Sequence, residues 1–151
     1  MNSNLKKLYA IAQKPSRLIL GLMSGTSFDG LDIALCRFKG WGLNTKVEIL
    51  NFETVPFNAA LKEEIKSIFI KEMVSLQKVT LLNAKLGNYF GELVLQTLAK
   101  WNVDASQIDL IASHGQTIFH APKAQHLLAG QPNATLQIGD GDHIAQKTQI
   151  I

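Results

Sequence analysis

The 151-residue chain is 46% hydrophobic and 18% charged, a balance that excludes intrinsic disorder and supplies a real core, since about two-thirds of the unfolded surface is buried at this size. Fifteen Lys and Arg face twelve Asp and Glu for a formal charge of +3, but Lys6, Lys7, Lys14 and Arg17 all precede the first acidic residue, Asp29, leaving eleven bases against twelve acids in the remainder. The positive excess therefore belongs to the N-terminal stretch, which argues against a nucleic-acid-binding face on the domain itself.

Residues 1–16 read as an arm in which Leu5, Leu8, Tyr9 and Ala12 fall at helical spacing; a short amphipathic helix and a frayed terminus both fit. RLILGLM, residues 17–23, has the continuous apolar composition of a strand buried on both faces. Its apolar part, Leu18 to Met23, is six residues long, too short for a membrane span or a signal core. SGTSFDG breaks the run, and LDIALCRF, residues 31–38, resumes it, so the pair reads as a hairpin. A third strand is expected over 47–55, ended by Pro56.

The period then changes. Leu61, Ile65, Ile68 and Phe69 mark one face of a helix with Asn58 as N-cap, and a longer helix is expected over 75–101 through Leu76, Val79, Leu82, Leu86, Phe90, Leu93, Val94, Thr97 and Trp101. Gly87 and Gly91, four apart within it, point to close packing against a neighbour. Residues 108–113 predict a short buried strand, HGQT (114–117) a polar loop continuing through Asn133, TLQI (135–138) another strand, and 143–148 a helix. Residues 149–151 look like the opening of a further strand. The expected class is α/β with a mixed sheet that starts with three strands. That order does not suit a dinucleotide-binding unit, which alternates strand and helix from the outset. It suits the ribonuclease-H-like lobe of actin-like ATPases, an analogy that says only where a nucleotide would sit.

Cys36 is the only cysteine, which excludes an internal disulfide and Cys-based zinc sites and fits a reducing, cytoplasmic setting. Its alternation with Ala34 and Phe38 suggests a buried structural thiol. Several motifs fail on inspection. Leu31 and Asp32 replace the Lys and Ser/Thr of a P-loop after Gly25–Gly30. Ala145 and Ile151 stand where a calcium loop starting at Asp140 needs Gly and Glu. In GDGDHI, Ile144 replaces the third small residue of a dinucleotide fingerprint. His114, His120 and His126 are six apart, unsuited to one helix face and a metal cluster.

GLMSGTSFDGLD, residues 21–32, is the most informative stretch. Its turn offers glycines that let backbone N–H groups approach a phosphate, the hydroxyls of Ser24, Thr26 and Ser27, and the carboxylates of Asp29 and Asp32. Composition alone also fits an ordinary hairpin. The order of residues closely resembles the N-terminal signature of the anhydro-N-acetylmuramic acid kinases, and SHGQTIFH (113–120) and TLQIGD (135–140) are similar to that family's two further signatures. The resemblance covers about residues 17–151. It implies an actin-like ATPase fold and an ATP- and Mg2+-dependent kinase that opens 1,6-anhydro-N-acetylmuramic acid with water and phosphorylates O6, in peptidoglycan recycling.

On that resemblance Gly25, Thr26, Ser27, Phe28, Asp29, Gly30, Leu31 and Asp32 match the ATP phosphate loop. Met23 stands where the wider superfamily has an acid, so Asp29 or Asp32 is the candidate for the metal. His114, Gln116 and Thr117 are candidate sugar contacts, with a turn that holds its own backbone as the alternative, and Asp140 is either a sugar contact or a helix N-cap. The family's catalytic base lies in an Asp-Thr-Gly-Pro-like motif after TLQIGD that this chain lacks, so no catalytic residue is assigned and the chain is expected to be an N-terminal lobe, inactive alone. The expected partner is a small sugar, with neither nucleic acid nor membrane, and an apolar face left open where a second lobe would dock makes a homodimer the oligomeric expectation. Two rival readings stand beside this one: a serine hydrolase using Ser24 and His114, although Gly21-Leu22-Met23-Ser24-Gly25 is not a nucleophile elbow, and a non-catalytic nucleotide- or partner-binding lobe.

Overall fold

The computed structural model describes residues 3–151. Helix α1 (Ser3–Gln13) is followed by β1 (Ser16–Ser24), β2 (Gly30–Lys39) and β3 (Lys46–Pro56), then α2 (Ala59–Lys66) and α3 (Leu76–Lys100), β4 (Leu110–Ala121), the single-turn α4 (Lys123–His126), β5 (Ala134–Ile138) and α5 (Gly141–Thr148). Among the described residues the five strands form one mixed sheet in the order β3-β2-β1-β4-β5, with β1 and β4 parallel and the other pairs antiparallel. The three opening strands and α3 fall where their sequence places them, but β1 is not buried on both faces, since Met23 is exposed, and α2 ends at Lys66, so Ile68 and Phe69 of its expected face lie in the turn after it.

Alternation along the strands divides the sheet into two unlike faces. Leu20 and Leu22 of β1 and Leu31, Ile33 and Leu35 of β2 join Leu61 and Ile65 of α2 and Leu82, Leu86, Phe90 and Val94 of α3 in one buried core. The other face carries Met23, Asp32, Ala34, Ile49 and Phe52; Met23, Ile49 and Phe52 are 49%, 67% and 60% exposed. At its far end Leu8 and Ile11 of α1 share a depression with Ile19, Phe38 and Leu110.

Local chemistry explains the element ends. Asn58 caps α2 by accepting from the Leu61 amide at 2.9 Å, and Ser75 caps α3 by accepting from the Lys78 amide at 3.4 Å. Asp104 accepts from the Ser106 amide at 2.7 Å at the head of a short 3-10 turn, which holds its carboxyl below the usual carboxylate value. Helix α5 packs flush on α3 because Gly87 and Gly91 are bare: a methyl group on them would lie 2.8 Å from the Cβ of His143 and of Lys147 respectively. The close-packing expectation for this glycine pair is met.

Four further expectations need correction. HGQT is not a loop: β4 runs through it, bulged at Gly115 (φ +78°), because β5 folds back and pairs Ile138 with Gln116 and Gln137 with Thr117. The arm is helical over its described part, but Leu5, Leu8 and Tyr9 are exposed and Ile11 is the residue that buries; residues 1 and 2 lie outside the described residues. Cys36 is half-buried on the open face, not sealed in the core. Leu76, expected on the apolar face of α3, is 78% exposed, and the buried residues of that helix begin at Leu82. The strand expected at the end of the chain is represented by one ladder bond, from the Ile111 amide to the Ile151 carbonyl at 2.7 Å.

Candidate functional site

All three signature segments meet at one end of the sheet. The turn between β1 and β2, residues 25–29, leaves the sheet there. HGQT lies directly alongside, since Ser24 pairs with Gln116 in the parallel β1–β4 ladder after a register shift past Leu22. TLQIGD is next, through the β4–β5 pairing.

The turn is anchored from below and open above. Phe28, at φ +58°, drops its ring into the core, where it meets Phe69 edge-on at 4.6 Å. The Asp29 carbonyl accepts from the Phe57 amide at 3.2 Å. Thr26, Ser27 and Asp29 are exposed, Gly25 and Asp32 half-buried, and Phe28, Gly30 and Leu31 buried. Gly30 is demanded by the sheet as much as by any ligand, since a side chain there would collide with the Val55 backbone. Among the described residues the Thr26 and Ser27 amides have no acceptor. Two free amides and two exposed hydroxyls thus stand together at the mouth of the hairpin, a donor set that suits a phosphate, and the Asp29 carboxylate beside them is an acceptor that suits a cation.

Asp32 is opposite Met23 on the open face and accepts from Thr54 Oγ1 at 2.6 Å. With Gly21, Met23, Phe52, Ser113 and His114 it lines a shallow concavity of about 560 Å³. Among the described residues no three His, Cys, Asp or Glu side chains gather as a metal site. A magnesium ion fits this setting only in the way it binds with nucleotides, through phosphate oxygens, waters and one or two carboxylates; Asp29 and Asp32 are the ones at hand.

The four candidate sugar contacts separate in space. His114 is exposed on the open face beside Asp32. Gln116 is fully buried: its Nε2 donates to the Gly25 carbonyl at 2.7 Å and the Thr117 carbonyl at 2.9 Å, and its Oε1 accepts from Ser24 Oγ at 2.6 Å. Thr117 is buried and lies 3.4 Å from Gln137 Nε2. Asp140 is the N-cap of α5, accepting from the Asp142 amide at 2.9 Å. Ser24 is buried with Gln116 and the Gly30 carbonyl as its polar neighbours, so no Ser24–His114 pair exists and the hydrolase reading loses its nucleophile and base together.

Asn83 was not singled out by its sequence context. From α3 its Oδ1 accepts from the Gly139 amide at 2.8 Å and its carbonyl from the Asp140 amide at 3.1 Å, fixing the TLQIGD segment against the helix. The one available signal is a polar side chain beside the buried Leu82 in an apolar helical pattern.

A family model described as anhydro-N-acetylmuramic acid kinase matches residues 17–151. The chain belongs to the anhydro-N-acetylmuramic acid kinase family. It is 54% identical over its whole length to the anhydro-N-acetylmuramic acid kinase of Pseudoalteromonas atlantica, 38% of which is covered, and 50% identical over 99% of its length to that of Pseudoalteromonas translucida, 37% covered. The kinase of Caldanaerobacter subterraneus is 41% identical over 97% of the chain, again with 37% of the relative covered. The chain therefore spans a little over a third of the length of these curated relatives. The match to Pseudoalteromonas atlantica includes the α1 arm, whereas the family model starts at Arg17. For this member of the kinase family no described helix is long and apolar enough to cross a membrane.

Proposed function

We propose that this chain is the N-terminal lobe, of actin-like ATPase fold, of a cytoplasmic kinase that converts 1,6-anhydro-N-acetylmuramic acid, water and ATP into N-acetylmuramic acid 6-phosphate and ADP in peptidoglycan recycling. Family membership supports the substrate, and the strand order β3-β2-β1-β4 supports the fold. The observation that carries the lobe's own part is the turn of residues 25–29, with the Thr26 and Ser27 amides unbonded and Asp29 exposed beside them. In the reaction the oxygen of water bonds to the anomeric carbon, the bond from that carbon to O6 breaks, and O6 takes the terminal phosphoryl group while ADP leaves.

Magnesium, when bound with the nucleotide, neutralises charge on the phosphates. The chain's residues bind and orient. Thr26 and Ser27 donate to phosphate oxygens from rigid backbone positions, which costs no reorganisation as charge moves. Asp29 and Asp32 hold the hydrated metal. His114 stands beside Asp32 in the open concavity, placed to donate to a sugar hydroxyl or to the lactyl carboxylate. The base that activates water comes from polypeptide beyond residues 17–151, so this chain by itself is expected to turn over nothing.

The test is ADP release by the full-length gene product in Mg-ATP, with and without the anhydro sugar. Release that requires the sugar is the expected result. A folded protein that releases ADP equally without it, or not at all, removes the reading and leaves a nucleotide- or partner-binding lobe in its place.

A further inference from the structure

We propose that Gln116 is a positioning residue that, with Ser24, holds the phosphate turn in the shape that presents its amides; the proposal rests on the nucleotide reading of that turn. A fully buried amide must spend its hydrogen bonds inside the protein, and Gln116 spends them on the turn and on its own strand. Both Nε2 hydrogens are used, on the carbonyls of Gly25 and Thr117, and Oε1 takes the Ser24 hydroxyl, which has the Gly30 carbonyl 3.0 Å away as its alternative acceptor. The side chain cannot be turned over, since an oxygen in place of Nε2 would face two carbonyl oxygens. One buried group therefore ties residues 24 and 25, where β1 ends, and through Ser24 reaches residue 30, where β2 begins.

The consequence lies in the next peptide. The Gly25–Thr26 bond is trans and planar, so its N–H points opposite to its carbonyl. With the Gly25 oxygen drawn inward by Gln116, the Thr26 amide faces outward, on the side where Thr26 and Ser27 are exposed. The bulge at Gly115 makes this possible: it breaks the alternation of β4, so His114 stays on the open face while Gln116 enters the interior beside Ser24. Within HGQT the glycine sets the bulge and the glutamine uses it. Gln116 thus affects ATP without touching it, and the sugar not at all.

The variant that separates this role from general packing is Gln116→Met, which keeps the volume and shape of the side chain and deletes its donors. In the full-length protein KM for Mg-ATP is expected to rise about tenfold, the effect of one or two net hydrogen bonds, with KM for the sugar unchanged. Amide hydrogen exchange of β2 and β3 is expected to stay at its native rate, so that the loss belongs to the turn and not to a loosened sheet. Ser24→Ala leaves both Gln116 donations in place and should raise KM for Mg-ATP about threefold; it carries the test if Gln116→Met does not fold. A folded Gln116→Met with KM for Mg-ATP within twofold of native, or with both KM values raised alike, would overturn the proposal. Native protein that takes no Mg-ATP would instead overturn the nucleotide reading, and the silent native control tells the two failures apart.

Discussion

Asp32 and Asp29 are the carboxylates at the turn, and their surroundings differ. Asp32 receives a hydrogen bond from Thr54 Oγ1, which fixes its orientation on the open face; Asp29 is exposed and tethered only through its main-chain carbonyl. If they hold a nucleotide-bound magnesium, replacing both by Asn removes the metal's contribution while keeping side-chain size and the Thr54 contact. Calorimetric titration of the full-length protein should show native ATP affinity falling more than tenfold when magnesium is chelated, and the double variant already at the chelated level in excess magnesium. A double variant that still gains affinity from magnesium would take the metal away from these residues. Both stood out in the sequence as the carboxylates of SGTSFDGLD; the structure puts Asp29 in the turn and Asp32 in β2. The fate of Gln116 could not be read in this way: a glutamine in HGQT has the same letters whether it faces a sugar or the core, and only the parallel register that sets Gln116 against Ser24 decides.

Among the elements, α3 was legible because a 3.6-residue apolar period sustained over 25 residues has one physical reading, whereas α2 was legible in kind and in its Asn58 cap but not in its end, since Ile68 and Phe69 keep the period past the last helical residue, Lys66. Strand β4 was half legible. Its apolar start reads as a strand, but HGQT has no alternating signal, and its strand state comes from the partner β5 arriving twenty residues later. The Gly87–Gly91 pair could be understood as a packing site but not its occupant, which is α5. A methyl group at Gly87 meets the His143 Cβ at 2.8 Å and the Asp140 carbonyl closer still, so α5 must shift. Gly87→Ala should therefore lower the unfolding free energy by about 1–3 kcal/mol through overpacking, more than the roughly 1 kcal/mol gained in helix propensity. Gly21→Ala, with nothing within 4 Å of the added carbon, should cost nothing. Urea unfolding of the two variants checks the contrast, and equal stabilities would mean that α5 is not seated against bare glycine.

On the scale of the whole chain the unequal faces of the sheet are the dominant feature. Met23, Ile49 and Phe52 present apolar surface on one of them, whereas α2 and α3 cover the other. Contiguous apolar surface of this kind drives association when nothing covers it. The purified 151-residue chain is expected to show a sedimentation coefficient that climbs with concentration, and Ile49→Lys with Phe52→Lys should abolish the climb at unchanged secondary structure. Native chain that sediments as a monomer at every concentration would contradict this. In β2 the apolar Leu31, Ile33 and Leu35 alternate with Asp32 and Ala34, but β1 gave no such sign: its continuous apolar run reads as buried on both faces, whereas Leu20 and Leu22 are buried and Met23 is exposed. Which face the helices would take was not legible, because α2 and α3 follow β3 across a connection whose direction no local pattern encodes.

From the order of its residues alone this chain determined its class, its first three strands, the long helix α3 and the polar turn proposed to take the nucleotide, because these depend on local period, turn residues and a contiguous motif. Tertiary structure decided that HGQT is strand and not loop, that Gln116 is spent on Ser24 and Gly25, that Asp140 caps a helix seated on Gly87 and Gly91, and that Ser24 and His114 are not partners. Each of those outcomes depends on which distant backbone supplies a donor, an acceptor or a clash, and that pairing is settled only when the strands and helices are assembled.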